Sequence, residues 1–220
     1  MNIIETAPII RGYTYNGKSS SIVHYIEHFD EPEISCKIED LKKLIKPTTK
    51  SIFIEGVGSF LLGTDYDEAI NQISKSPSLI GSEAVVHNKV VIVTGGAQGF
   101  GEGIVKGLCK KGALVFIADI NLDGAKSLAA EINREEDRTV AFPVSCNVTD
   151  EESVKSMVKY VVEKVGGIDI LISNAGVLKA GSVKTISKED FEFVTDVNYL
   201  GFFLCTKHIA PVMERMNKPT

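Results

Sequence analysis

From Val90 onward, runs of consecutive apolar residues alternate with windows in which apolar residues recur every three or four positions. Short unbroken runs mark strands buried on both faces, and the recurrent windows mark the helices that cover them. VVIVT is the first such strand, and the helix after it runs from about Gly101 to Lys111 before Gly112 ends it. ALVFIAD is a second strand closing on Asp119, LDGAKSLAAEINRE a second helix and TVAFPVS a third strand. Thr149-Asp150-Glu151-Glu152 reads as a capping box that opens the helix SVKSMVKYVVEKV, and Gly166 and Gly167 stop it. IDILISNAG is a fourth strand running into a glycine turn. SKEDFEFVTDVNYLGFFLCTKHIAPVMERM is mostly one long helix, with Ser187 at its N-cap and Pro211 kinking its last turns. This alternation predicts the α/β class, with a doubly wound parallel sheet represented by its first four strands.

Residues 1–84 follow another pattern: short strand-like pieces, a charged helix near IEDLKKLIK and the tight apolar segment SIFIEGVGSFLLG. They predict a small, separate α+β region preceding the parallel-sheet domain of residues 85–220, with the Ser-rich stretch SKSPSLIGSEAVVHNK as linker.

Composition narrows the partners. With 44% hydrophobic and 24% charged residues the chain is ordinary for a globular protein. A net charge of -5 gives no electrostatic reason to expect nucleic acid or an anionic membrane as partner. There is no 18-residue uncharged run and no leader-like N-terminus, which predicts a cytoplasmic protein without a membrane span. The four cysteines form no C-x-x-C pair and read as structural thiols.

Candidate chemistry lies in VVIVTGGAQGFGEGI. A strand, a glycine-rich turn and a helix N-terminus form an anion site, because free backbone N–H groups and the positive end of the helix dipole converge there. The spacing Gly95-x3-Gly99-x-Gly101 is not a P-loop, since Glu102 and Gly103 stand where one needs Lys and Ser or Thr. Taken alone, such a turn could serve tight strand-to-helix packing only. Asp119, however, closes the second strand where a dinucleotide fold places an acid against the adenosine ribose. A carboxylate there disfavours a 2′-phosphate, and neither Gln98 nor Ile120 nor Asn121 supplies a cation to hold one, so NAD is expected over NADP.

Thr94-Gly95-Gly96-Ala97-Gln98-Gly99-Phe100-Gly101, then Asp119, Asn147-Val148, Ser173-Asn174-Ala175-Gly176 and Asn198 in the long helix resemble the short-chain dehydrogenase/reductase family in motif and order. The resemblance implies a Rossmann-type fold with the dinucleotide along the strand C-termini. Gly95, Gln98, Gly99, Phe100 and Gly101 would lie near the pyrophosphate and ribose, Asp119 and Ile120 at the adenosine ribose, and Asn147 and Val148 beside the adenine. The family more often has Asp at position 147. Asn174, Ala175 and Gly176 would stabilise the central strand and line the nicotinamide ribose, and Asn198 would hold a water in the proton relay, the one catalytic role assigned. No metal is implied.

The same resemblance implies hydride transfer between nicotinamide and a carbinol or carbonyl carbon, with a tyrosine moving the proton and a lysine lowering its pKa. Tyr160-x-x-x-Lys164 has the family's spacing but precedes the fourth strand, on a helix behind the sheet, so it is read as surface chemistry. From Val90 onward the chain has roughly 130 residues, against about 250 for a complete domain of this kind. The family's Ser, Tyr and Lys and its later strands are therefore expected to be absent, leaving the stretch inactive by itself, with an unpaired sheet edge that favours a homo-oligomer.

SIFIEGVGSFLLGTDYDEA is similar to the closing strand and glycine turn of the class II aldolase-like domain that precedes a short-chain dehydrogenase domain in some bacterial sugar-metabolism proteins. That similarity turns the expected substrate towards sugar alcohols and sugar phosphates such as sorbitol 6-phosphate. His24 and His28 lie one helical turn apart, but no third histidine joins them and a packed or solvent-facing pair is the stronger reading. The alternative to an NAD-dependent dehydrogenase is a non-catalytic dinucleotide-binding module.

Overall fold

The computed structural model describes residues 2–17, 19–27, 29–71 and 85–217. The expected linker falls largely outside them, as does His28. Four strands, β5 (Val90–Thr94), β6 (Leu114–Asp119), β7 (Ala141–Ser145) and β8 (Ile170–Ile172), form an all-parallel sheet in the order β7-β6-β5-β8. They alternate with α4 (Gly99–Lys110), α5 (Leu122–Glu135) and α6 (Glu151–Val165). After β8 come α7 (Lys188–Thr195), a π-helical turn (Asp196–Leu200) and α8 (Gly201–Asn217).

Strand periodicity divides the core. Val91, Val93, Val115 and Ile117 pack with Val105 and Cys109 of α4 and Leu128 and Ile132 of α5. Val90, Ile92, Leu114 and Phe116 point the other way, into a core with Val154, Val158 and Val161 of α6 and Leu204 and Ile209 of α8. Alternate residues of each strand thus meet helices on opposite faces, the Rossmann arrangement expected of a sheet buried on both sides. The chain runs outward from β5 to β6 and β7 and then crosses back to β8 on the other side of β5, a reversal that opens a crevice at the strand C-termini.

Local expectations shift in detail. Asp150, not Thr149, caps α6: its carboxylate accepts from the Glu152 N–H, and the reciprocal bond of a capping box is not made. Gly166 at φ 84° ends that helix in the left-handed region. The long C-terminal helix is continuous but widened by the π turn, where the Gly201 N–H donates to the Asp196 carbonyl.

The N-terminal region comprises α1 (Ile3–Tyr13), β1 (Ile22–Ile26), β2 (Ile34–Cys36), α2 (Ile38–Leu44), β3 (Ser51–Ile54), β4 (Gly58–Gly63) and α3 (Tyr66–Asn71). Its sheet runs β1-β4-β3-β2, and only the β2–β3 pair is parallel. It does not stand apart as the change of pattern suggested: Ile10, Ile22, Val23 and Leu62 share one core with Val161, Val165 and Val212. The physical reason is that α6 and α8 present apolar residues on a second face, which α1 and β1 cover. Arg11 crosses the seam fully buried, 2.7 Å from the Asp169 carboxylate. That carboxylate also accepts from the Val90 N–H at 2.8 Å. Burial alone would raise the Asp169 carboxyl, but the Arg11 charge, the Val90 N–H and Lys89 together hold it below the ordinary range.

Candidate functional site

Four glycines build the turn after β5 for different reasons. Gly95 and Gly99 have φ of 62° and 59°, in the left-handed region that favours glycine. A Cβ on Gly101 would come within 2.0 Å of the Gly95 carbonyl oxygen, and one on Gly96 within 2.9 Å of the Val93 carbonyl oxygen. A Cβ on Gly99 would meet nothing within 4 Å. Gly96 and Gly101 therefore close the turn, whereas Gly99 leaves open space beside the start of α4. Gln98 is the N-cap of α4 and makes no side-chain capping bond, so the N–H groups of the first turn stay available to a ligand.

Asn174 fastens the turn to β8. Its Nδ2 donates to the carbonyls of Thr94 and Gly95, each at 3.0 Å, and the Thr94 hydroxyl accepts from the N–H groups of Asn174 and Ala175, each at 3.0 Å. Asp119, almost fully buried at the end of β6, accepts from the Ala97 N–H at 3.0 Å and the Asn121 N–H at 2.9 Å. Each carboxylate oxygen keeps a further acceptor position, so orientation by the backbone and recognition of a ligand hydroxyl are compatible.

These elements enclose a cavity of about 560 Å³. Gly95, Gln98, Gly99, Phe100, Gly101, Asp119, Ile120, Asn147, Val148, Asn174, Ala175 and Gly176, all the residues expected at a dinucleotide, line it. Asn198 is not among the lining residues. Its Oδ1 accepts from the Val177 N–H at 2.8 Å and its Nδ2 donates to the Val177 carbonyl at 2.9 Å, so its side chain fixes the loop that carries Val177 into the cavity.

Sequence reasoning missed Cys146, Thr149, Val177, Phe193, Asp196 and Val197 in the lining. Thr149 had a legible signal, because Asn-x-Thr forms the local turn in which Asn147 Oδ1 accepts from the Thr149 N–H and hydroxyl. Phe193, Asp196 and Val197 come from the helix after β8, and nothing local marks them. Burial pushes the Cys146 thiol up to about 12, so it is a packing group there.

Tyr160 and Lys164 do not line the cavity. Lys164 Nζ lies 5.2 Å from the centre of the Tyr66 ring and 5.8 Å from those of Phe142 and Tyr160, which commits it to the seam with the N-terminal region. His24, on strand β1 rather than a helix, belongs to the same seam, its Nδ1 3.1 Å from the Lys164 carbonyl oxygen, and burial lowers its pKa. Among the described residues no group of three His, Cys, Asp or Glu side chains is placed to hold a metal ion, and no helix is long and apolar enough to cross a membrane.

Comparison with known proteins agrees with this geometry. The chain is 34% identical over 128 residues to a sorbitol-6-phosphate 2-dehydrogenase of Escherichia coli (strain K12), covering 58% of this chain and 49% of that protein. It is 37% identical over 145 residues to a xanthoxin dehydrogenase of Arabidopsis thaliana, covering 65% and 50%. The structure of a 3-ketoacyl-(acyl-carrier-protein) reductase from Brucella melitensis in complex with NADH superposes with a TM-score of 0.54 at 34% identity, over 57% of this chain and 50% of that one. The chain thus spans about half the length of the curated relatives it matches. The profile of the short chain dehydrogenase family matches residues 89–219, and with the glycine turn, Asp119 and the Asn174 fastening in the family's order, the chain belongs to that family of oxidoreductases.

Proposed function

We propose that this chain provides the dinucleotide-binding part of a cytoplasmic, NAD-dependent dehydrogenase acting on a sugar alcohol or sugar phosphate such as sorbitol 6-phosphate. The observation that carries the reading is that an uncapped helix N-terminus and a backbone-held carboxylate line one cavity in which, among the described residues, there is no Lys, Arg or His. The free N–H groups of α4 bind the pyrophosphate. Asp119 accepts from the ribose hydroxyls. A 2′-phosphate about 4 Å from Asp119 would cost about 4 kcal/mol at an effective dielectric near 20, and among the described residues no cation of the cavity offsets it. Bound NAD supplies the hydride acceptor. Asn198, by holding Val177, positions the loop beside the nicotinamide ribose. The substrate class is supported by the sorbitol-6-phosphate 2-dehydrogenase relative and by the aldolase-like pattern of residues 1–84.

A second reading, a dinucleotide-binding module without catalysis of its own, is favoured by one observation: among the described residues, no Tyr, Lys or His lines the cavity. Both readings predict tighter binding of NADH than of NADPH by calorimetry, with the gap narrowed in Asp119→Ala; equal affinities in the unaltered chain sink the ribose assignment. Turnover separates them. Residues 1–220 are expected to bind NADH but not to reduce NAD with sorbitol 6-phosphate, sorbitol or lactaldehyde, because among the described residues no tyrosine lines the cavity to take the hydroxyl proton. Robust turnover lost in Tyr160→Phe would instead make Tyr160 the base.

A further inference from the structure

A second cavity, of about 360 Å³, opens where α1, α6 and α8 meet, and it shares no lining residue with the dinucleotide cavity. Its walls follow from helical spacing. Lys155, Val158 and Lys159 stand at i, i+3 and i+4 on α6, and His208, Pro211, Val212 and Arg215 at i, i+3, i+4 and i+7 on α8, so each helix offers one stripe. The two helices run side by side in the same direction: His208 Nε2 lies 2.7 Å from the Glu151 carboxylate at the start of α6, and the Ile168 N–H lies 3.3 Å from Met216 Sδ just beyond its end. Asn2 and Ile4, at the start of α1, close the third side.

Lys155, Lys159, His208 and Arg215 can all carry positive charge, and among the described residues no carboxylate lines the cavity. Three of these groups have acidic neighbours outside it. Lys155 pairs with Glu152 at 2.7 Å and Lys159 with Glu163 at 2.8 Å, contacts within one helix that leave each ammonium further donors and contribute little to stability. His208 is turned to Glu151. Arg215 differs: it is half-buried and makes no hydrogen bond or ion pair among the described residues. A guanidinium whose donors are all free, beside two ammonium groups, suits an anion that accepts several hydrogen bonds at once, and a phosphate group offers three oxygens where a carboxylate offers two. The start of α1 adds to the same field. Asn2 Oδ1 accepts from the Glu5 N–H, and the N–H groups of Ile3 and Ile4 have no partner within the helix. Ile4, Val158, Pro211 and Val212 make the rest of the lining apolar.

We propose that this cavity binds a small organic phosphate, its phosphate group held by Arg215 with Lys155 and Lys159 and its carbon part against Val158, Pro211 and Val212. The site is independent of the dinucleotide reading. Its test is calorimetry with butyl phosphate, inorganic phosphate and pentanoate at matched ionic strength, using the unaltered chain, Arg215→Gln, Lys159→Gln and Gly99→Val, each checked for folding by circular dichroism. Butyl phosphate should bind the unaltered chain and Gly99→Val alike, about ten-fold more weakly in Arg215→Gln and about three-fold more weakly in Lys159→Gln. Inorganic phosphate, which lacks the carbon part, should bind at least about three-fold more weakly than butyl phosphate, and pentanoate more weakly than butyl phosphate as well. Binding lost in Gly99→Val but kept in Arg215→Gln would put the phosphate at the α4 turn and overturn the proposal. It is overturned equally by no binding, by binding indifferent to the Arg215 and Lys159 variants, and by inorganic phosphate or pentanoate matching butyl phosphate.

Discussion

Arg11 in the N-terminal region and Asp119 in the dinucleotide-binding part are both charged and almost wholly buried, yet their surroundings differ in kind. Arg11 reaches across the seam to Asp169 and to the carbonyls of Ser21 and Val165, and its one unpartnered donor, Nε, is buried where no cavity reaches it. Asp119 is held by two N–H groups on one side and borders an open cavity on the other. The glycines divide in the same way. Gly99 has open space where a Cβ would point, whereas a Cβ on Gly166 would lie 2.5 Å from Val23 Cβ and one on Gly167 2.5 Å from Met216 Sδ. Both glycine groups follow apolar runs in the sequence, but one leaves room for a ligand and the other lets the N-terminal region pack closely. What separates a binding site from a structural joint here is unused capacity that borders open space, as at Asp119 and Gly99, rather than unused capacity alone.

The contrast is broken most severely at the joint. Arg11→Met leaves the partly buried Asp169 carboxylate with only Lys89, 3.7 Å away, as a charged partner and should cost about 3 kcal/mol in urea unfolding, while Arg11→Met combined with Asp169→Asn should recover part of that. A loss under about 1 kcal/mol would mean that the seam contributes little. Acid should reveal the same pair. Because the folded carboxyl of Asp169 lies below its unfolded value of about 3.9, its contribution is complete above that pH and disappears as the pH falls through the lower folded value. Stability measured from pH 7 to pH 3 should therefore fall more steeply below about pH 4 in the unaltered chain than in Asp169→Asn.

At the cavity, the expected loss is in binding rather than folding. Gly99→Val places a side chain in the left-handed region at a cost of about 2 kcal/mol and fills the open space beside α4. The variant should fold and fail to bind NADH by calorimetry; retained affinity would mean that the turn serves packing alone. The smallest effect belongs to neither side of the comparison. Asp150→Ala removes the cap of α6 and should lower stability by about 1 kcal/mol with NADH affinity unchanged, so a coupled loss of affinity would show that α6 transmits strain to the cavity.

Much of the dinucleotide-binding part was determined by sequence alone. Unbroken apolar runs specify strands buried on both faces, and the glycine spacing with an acid at the end of β6 specifies where phosphate and ribose would bind, because all of these are local steric and electrostatic requirements. Tertiary structure decided the remainder. Asp196 and Phe193 reach the cavity only because the helix after β8 folds back over Val148. Tyr160 and Lys164 carry a catalytic-looking spacing, but α6 turns Lys164 towards Tyr66 and sets Tyr160 edge-on to Phe116, and neither lines the cavity. Arg11 meets Asp169 across 158 positions of sequence. Local pattern fixes which way a side chain points from its own helix or strand; what it then meets depends on which elements pack against that face, and for the seam and the far wall of the cavity those elements come from distant parts of the chain.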